Sequence, residues 1–234
     1  MFEKFDCEFF DFKHENIEVY FSTAKNNISY NRNTKEGQEN IDNLKSYFCV
    51  KNVGYCKQIH SNDVIIFDNK IVEGDALITD KKDIAIGVFT ADCVPIIILD
   101  KRKKVVAAVH SGWKGTYKDI IIKTVHNMIE KYQCNISDLL FYIGPHNMDC
   151  CYEVSEELIE KFKDKQCFFD KSINNGRFLS LQKCIILQLE SIGVHKKNIF
   201  SINKCTFCNE EYSLHSYRKQ SDNYGRMFSF VIIR

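Results

Sequence analysis

Three runs at residues 84–89, 95–99 and 105–109 consist almost entirely of isoleucine, valine, leucine, phenylalanine and alanine. A strand with one wet face alternates apolar and polar residues; these runs do not alternate, so they demand sheets covered on both faces. Each run is also far too short to cross a bilayer. The polar breaks at the ends of two of these runs hold Cys93 and His110. Most of the chemistry legible in this chain lies there.

Further strand-like runs fall at residues 17–21, 64–67, 76–79, 140–143, 199–202 and 227–233. Helical periodicity is clearest over 117–132, where Ile121, Val125, Met128, Ile129 and Tyr132 share a stripe. A second helix is expected over 155–165, with Ser155 as N-cap and two glutamates in its first turn. A third is expected over 181–192, stopped by Gly193. Strands outnumber helices and several connections are short, which predicts an α/β sandwich rather than a doubly wound Rossmann sheet. Neither a Gly-x-Gly-x-x-Gly nor a Walker sequence occurs. Only two prolines, Pro95 and Pro145, and no linker-like composition interrupt the chain, so residues 1–234 are expected to form one domain. The polar stretch 25–42 reads as a mobile loop.

Lys plus Arg (32) balance Asp plus Glu (31), so no global field selects nucleic acid or an anionic membrane. Eleven cysteines is a high count, but the chain is too long and too rich in core for a small disulfide scaffold. Cys7, Cys134 and Cys184 lie in apolar patterns, where free cysteine behaves as a small hydrophobe. Residues 1–21 are charged throughout and lack the apolar core of a signal peptide. A reduced, cytoplasmic protein is expected, a monomer or weak homo-oligomer that binds neither nucleic acid nor membrane.

Cys93 closes the break Thr90-Ala91-Asp92-Cys93. A packing cysteine is one reading; the polar setting favours a thiolate, held as such by a metal or an imidazolium. His110 ends the third run and precedes Ser111-Gly112-Trp113-Lys114-Gly115-Thr116 and a helical pattern. Strand, glycine turn and helix start can present amides to an anion, although the spacing is not that of a P-loop. Trp113 either stacks on a base or covers the core. His60 stands in Lys57-Gln58-Ile59-His60, just ahead of the strand-like run at 64. Two imidazoles and a thiolate would form a zinc site with an open fourth position, a catalytic arrangement because structural zinc takes four protein ligands. The spacings match no zinc-finger pattern, so for each residue the packing or hydrogen-bonding reading stays open.

Other candidates carry less. Cys205-x-x-Cys208 looks like half a structural zinc site without a second CxxC. Cys150-Cys151 reads as packing at a strand edge, with metal-linked or redox roles open. His146 could support a ligand from behind. Arg218 and Arg226 bracket a loop where a guanidinium could grip phosphate or carboxylate.

The segments KQIH (57–60), GDALIT (74–79), TADCVPI (90–96), AAVHSGWKGT (107–116), IGPHNMDCCYEV (143–154), CT (205–206) and SYRK…GRMFSFVII (216–233) resemble, in order, the laccase-domain family. Its members are called multicopper polyphenol oxidase-like proteins and purine nucleoside phosphorylases. The resemblance implies mixed sheets in a sandwich flanked by helices, in α-β-β-α-like layers, and one Zn2+ held by His60, Cys93 and His110. It also implies phosphorolysis of adenosine, inosine, guanosine and methylthioadenosine and deamination of adenosine, with purine nucleosides and phosphate as partners. A related subgroup is linked to cysteine-type amide hydrolysis on peptidoglycan precursors. Departures fall in three places: Phe21-Ser22-Thr23 is followed by Ala24 and Lys25 where the family carries arginine, His146 to Asp149 replace the family's residues before CCYEV, and Lys219 replaces the second arginine of SYRR.

Copper is not expected. A laccase needs a type 1 copper and a trinuclear cluster built from His-x-His pairs, and none of the seven histidines forms such a pair. Zinc has no redox chemistry. The leading expectation is a zinc-dependent nucleoside enzyme in which Asp75 or Asp92 moves protons while Lys57, Gln58, Gly112, Lys114 and Arg218 hold substrate or phosphate. The alternatives are a hydrolase with Cys93 as nucleophile and His110 as base, and a non-catalytic zinc-binding module.

Overall fold

The computed structural model describes residues 7–221 and 225–234. Strands β1 (Phe9–His14) and β2 (Ile17–Ser22) form a hairpin, followed by helix α1 (Lys35–Tyr47) and short strands β3 (Asn52–Gly54) and β4 (Val64–Ile66). Next come β5 (Ala76–Thr79), β6 (Ile84–Thr90), β7 (Val94–Asp100) and β8 (Val105–Ser111). Helices α2 (Trp113–Tyr117) and α3 (Ile120–Tyr132) lead to β9 (Leu139–Ile143) and α4 (Glu156–Lys163). The chain closes with β10 (Asn174–Asn175), β11 (Phe178–Leu179), α5 (Leu181–Ser191), β12 (Ile199–Ser201), α6 (Tyr217–Gln220) and β13 (Met227–Ile233).

Two large mixed sheets result. One runs β1-β2-β13-β6-β3 and the other β12-β9-β7-β8-β5-β4. The β3–β6, β4–β5 and β9–β12 pairs are parallel, and the remaining pairs of both sheets are antiparallel. The non-alternating runs occupy the interior, and every residue of β6, β7 and β8 is buried. Successive side chains of a strand point to opposite faces. Ile97, Leu99, Val106 and Ala108 therefore pack with the first sheet, while Ile96, Ile98, Ala107 and Val109 pack with α3 and α5. Helix α1 buries Ile41 and Leu44 against the first sheet. The fold is thus the layered α/β sandwich expected, with mixed sheets flanked by helices. No helix among the described residues is long and apolar enough to cross a membrane.

Two local expectations change. Residues 25–42 are not one loop, because α1 begins at Lys35 and is capped by Thr34, whose hydroxyl accepts the Gly37 N–H at 3.1 Å. The stretch 117–132 is not one helix, because Asp119 takes a left-handed φ of 60° and separates α2 from α3. Strand β1 escaped detection because its charged residues, Asp11 and Lys13, interrupt the apolar pattern of an edge strand.

Candidate metal and substrate site

The chain leaves the first sheet at Thr90 and joins the second at Val94, with Ala91, Asp92 and Cys93 making the crossing. Register explains the neighbours. Val94 pairs with Ser111 and Pro95 with His110, so Cys93 emerges beside the end of β8. Strand β8 also pairs with β5, and the carbonyl of Asp75, just ahead of β5, accepts the His110 N–H at 2.8 Å. Asp75 Oδ1 lies 2.8 Å from His110 Nδ1. A carboxylate only accepts, so a proton sits on Nδ1, and Nε2 is left to take the Cys93 proton or to bind a metal.

The same carboxylate accepts the backbone N–H groups of Ile59 (3.3 Å), His60 (3.1 Å) and Ser61 (2.6 Å), and the Ser61 hydroxyl (2.7 Å). This clamp holds His60 at a left-handed φ of 58°. The His60 ring centroid is 4.8 Å from that of His110, and His60 Nε2 is 3.8 Å from Cys93 Sγ. Gly112 lies against both: a Cβ there would stand 3.0 Å from Cys93 Sγ and 3.1 Å from His60 Cδ2. The ligand atoms of His60, Cys93 and His110 all lie within 4.8 Å of one another. One sulfur and two imidazole nitrogens suit a borderline-soft divalent ion, so the trio could hold a metal.

The electrostatics favour a charged site. Burial alone would push the Cys93 thiol up, but the charge of His110 and hydrogen bonds from His110 and His60 outweigh it and bring the thiol down to about 6. Burial would lower His110; the Cys93 thiolate and the Asp75 hydrogen bond raise it to about 9. Asp75, fully buried, would be raised by burial, yet the bond and charge of His110 and the Ser61 bonds bring it down to about 2.

The trio opens onto a cavity of about 620 Å³. Of the residues expected at the site, Gln58, His60, Asp92, Cys93, His110 and Arg218 line it. Gln58 is fixed by a two-way amide exchange with the backbone of Phe89 (2.8 and 2.7 Å). Asp92 accepts the Thr206 hydroxyl at 2.6 Å and the Arg218 N–H at 2.7 Å, so both its oxygens are engaged. Lys57 and Lys114 do not line the cavity: Lys57 pairs with Glu73 at 2.7 Å, and Lys114 lies over the Trp113 ring. Lys25 does not line it either, whereas Arg32, which sequence reasoning passed over, does, flanked by Asn31 and Asn33. Arg32 sits in the stretch read as a mobile loop, so nothing local marked it out.

The family model for the multi-copper polyphenol oxidoreductase laccase matches residues 17–234. The chain belongs to this family. Within the laccase family, it is 48% identical over 226 residues to a purine nucleoside phosphorylase of Clostridium acetobutylicum, covering 96% of this chain and 95% of that one. It is 40% identical over 179 residues to a purine nucleoside phosphorylase of Aquifex aeolicus, covering 75% and 81%. It is 30% identical over 192 residues to the adenosine deaminase RL5 of an unknown prokaryote, covering 75% and 72%. The crystal structure of YlmD from Geobacillus stearothermophilus shares the fold with a TM-score of 0.83 at 22% identity, covering 94% of this chain and 93% of that one.

Proposed function

We propose that the chain is a zinc-dependent purine nucleoside phosphorylase that also accepts methylthioadenosine and deaminates adenosine. The carrying observation is the meeting of His60, Cys93 and His110 on the wall of a cavity that also gathers Arg32, Arg218 and Arg226. The relatives, two purine nucleoside phosphorylases and one adenosine deaminase, support the purine nucleoside part of this reading. A volume of about 620 Å³ falls within the range of small-molecule sites, roughly 300–1,000 Å³.

Zinc would be held by the two imidazole nitrogens and the Cys93 sulfur, and when bound it supplies Lewis-acid chemistry that brings the pKa of a coordinated water to about 7. The chain's own residues do the rest. Asp75 keeps the proton on His110 Nδ1 and, through the amides of residues 59–61, aims His60. Arg218 is held rigidly, its Nη1 donating to the Glu153 carbonyl at 2.6 Å and its guanidinium 5.1 Å from the Tyr152 ring centroid. The rest of that planar fork suits two oxygens of phosphate. Trp113 and Tyr217 on the cavity wall offer faces for a purine. Asp75 and Asp92 are assigned positioning rather than proton-shuttling roles, because their oxygens are already bonded. Copper oxidase chemistry is not assigned, since the candidate metal groups among the described residues contain only His60 and His110 as imidazole donors.

One observation favours a second reading. Asp75, His110 and Cys93 form the series of a nucleophile, its base and an orienting acid, which a metal-free cysteine hydrolase would use. Chromatography of adenosine incubated with the zinc-loaded protein, with and without phosphate, separates the two. Phosphate-dependent adenine or phosphate-independent inosine, absent with Cys93→Ala, is expected. An unchanged adenosine peak with zinc bound would overturn the nucleoside reading and leave amide hydrolysis by the metal-free protein as the activity to assay.

A further inference from the structure

Two turns distant in sequence bring four sulfurs together. Residues 149–151 turn after β9, and residues 206–208 turn after β12. Neighbouring side chains of a strand point apart, whereas a turn lets Cys150 and Cys151 converge. The backbone holds the two segments in register: His146 bridges to Cys205, the His146 N–H donates to Lys204 O at 3.2 Å, and the Thr206 N–H donates to His146 O at 2.9 Å.

The sulfurs of Cys150, Cys151, Cys205 and Cys208 all lie within 4.8 Å of one another, and those of Cys150 and Cys208, 58 residues apart, are separated by 3.6 Å. A disulfide bond would be about 2.05 Å long. A tetrahedral zinc ion with bonds of about 2.3 Å sets its sulfurs about 3.8 Å apart, which matches. An iron–sulfur cluster seats its cysteines on different irons and spreads them further, so the packing fits a single ion. The backbone N–H groups of Met148, Phe207 and Cys208 also face the Cys205 sulfur.

We propose that Cys150, Cys151, Cys205 and Cys208 form a second metal centre, a closed tetrathiolate site for one zinc ion. Four protein ligands leave no open position, so its role is structural, and the thiols give up their protons as the ion binds. What it fastens is the wall of the cavity. Asn147, three residues before Cys150, lines that cavity, donates its N–H to Asp92 O at 2.9 Å and has Oδ1 3.8 Å from Cys205 Sγ. Thr206, next to Cys205, donates its hydroxyl to the Asp92 carboxylate. The centre thus braces the crossing that carries Cys93.

Metal analysis of the reduced full chain, reconstituted with zinc, tests this. About two zinc ions per chain are expected in the wild type and about one in Cys93→Ala. The double variant Cys150→Ser/Cys208→Ser should also retain about one, or lose its cavity geometry and fold poorly. Cobalt loaded into Cys93→Ala gives a readout that does not depend on the double variant folding: strong sulfur-to-cobalt charge-transfer bands and tetrahedral visible bands are expected. Cobalt-treated Cys93→Ala without those bands, or thiol counting that shows the four cysteines as disulfides in freshly isolated protein, would overturn the proposal.

Discussion

Asp75 accepts five hydrogen bonds from its surroundings, one from the His110 ring and four from residues 59–61, and so fixes two candidate ligands with a single carboxylate. Its consequence is measurable in metal-free protein, where the Cys93 thiolate is paired with the His110 imidazolium. The thiolate is the species that reacts with an alkylator. Because the Cys93 thiol is brought down to about 6, its alkylation should be near maximal at neutral pH and fall as the pH drops through about 6. In Asp75→Asn, His110 keeps the Cys93 thiolate but loses the second partner that raises it, so it releases its proton at lower pH and Cys93 is less often paired with a cation. The midpoint should then move up towards the ordinary thiol value of about 8.5. Peptide mapping of Cys93 across a pH series reads this; a wild-type midpoint near 8.5 would show that the ion pair does not form. At this scale the sequence disclosed the ligands, since His60, Cys93 and His110 each stood in a polar break beside apolar residues. It did not disclose what Asp75 does, because four of its bonds exist only once residues 59–61 fold around it. Nor did it disclose where Lys57 points: Glu73, 16 residues further on, claims it.

Helix α1 shows how an element can be hidden. Its buried residues are Gly37, Ile41 and Leu44, too few apolar positions to announce a helix. Gly37 looks like a breaker, yet a Cβ there would come within 2.0 Å of the Asn31 carbonyl oxygen, so the glycine lets the preceding loop lie against the helix. Thr34 joins the two parts, accepting from the Gly37 N–H and donating to the Asn31 carbonyl at 2.9 Å. Thr34→Ala should lower stability by about 1 kcal/mol in urea unfolding. It should also raise KM more than it lowers kcat, because Asn31, Arg32 and Asn33 line the cavity while the metal ligands lie elsewhere. Unchanged KM would detach this segment from substrate binding. The central strands were legible for the opposite reason, since runs without alternation leave few options but an interior sheet.

Across the whole molecule, the two sheets meet at Gly144, just past β9. A Cβ on Gly144 would stand 2.2 Å from the Phe21 ring of the first sheet and 2.9 Å from Pro95 Cγ of the second. Gly144→Ala therefore wedges the layers apart, and overpacking of this kind costs about 1–3 kcal/mol. Chemical denaturation should show that loss, and a change under about 0.5 kcal/mol would mean the interface yields freely. Sheets covered on both faces were foreseeable from the apolar pattern; the meeting of Cys150 and Cys151 with Cys205 and Cys208 was not, because a vicinal pair and a distant CxxC, with Cys150 and Cys208 58 residues apart, share no local signal. The cavity itself is built from two kinds of part. Cys93 and His110 stand at the ends of buried strands and His60 is clamped beside them, while Asn31, Arg32, Asn33, Tyr217 and Arg226 come from outside the sheets. A lineage with this plan can exchange its rim without disturbing its foundations, and so acquire new appetites while keeping the same machinery underneath.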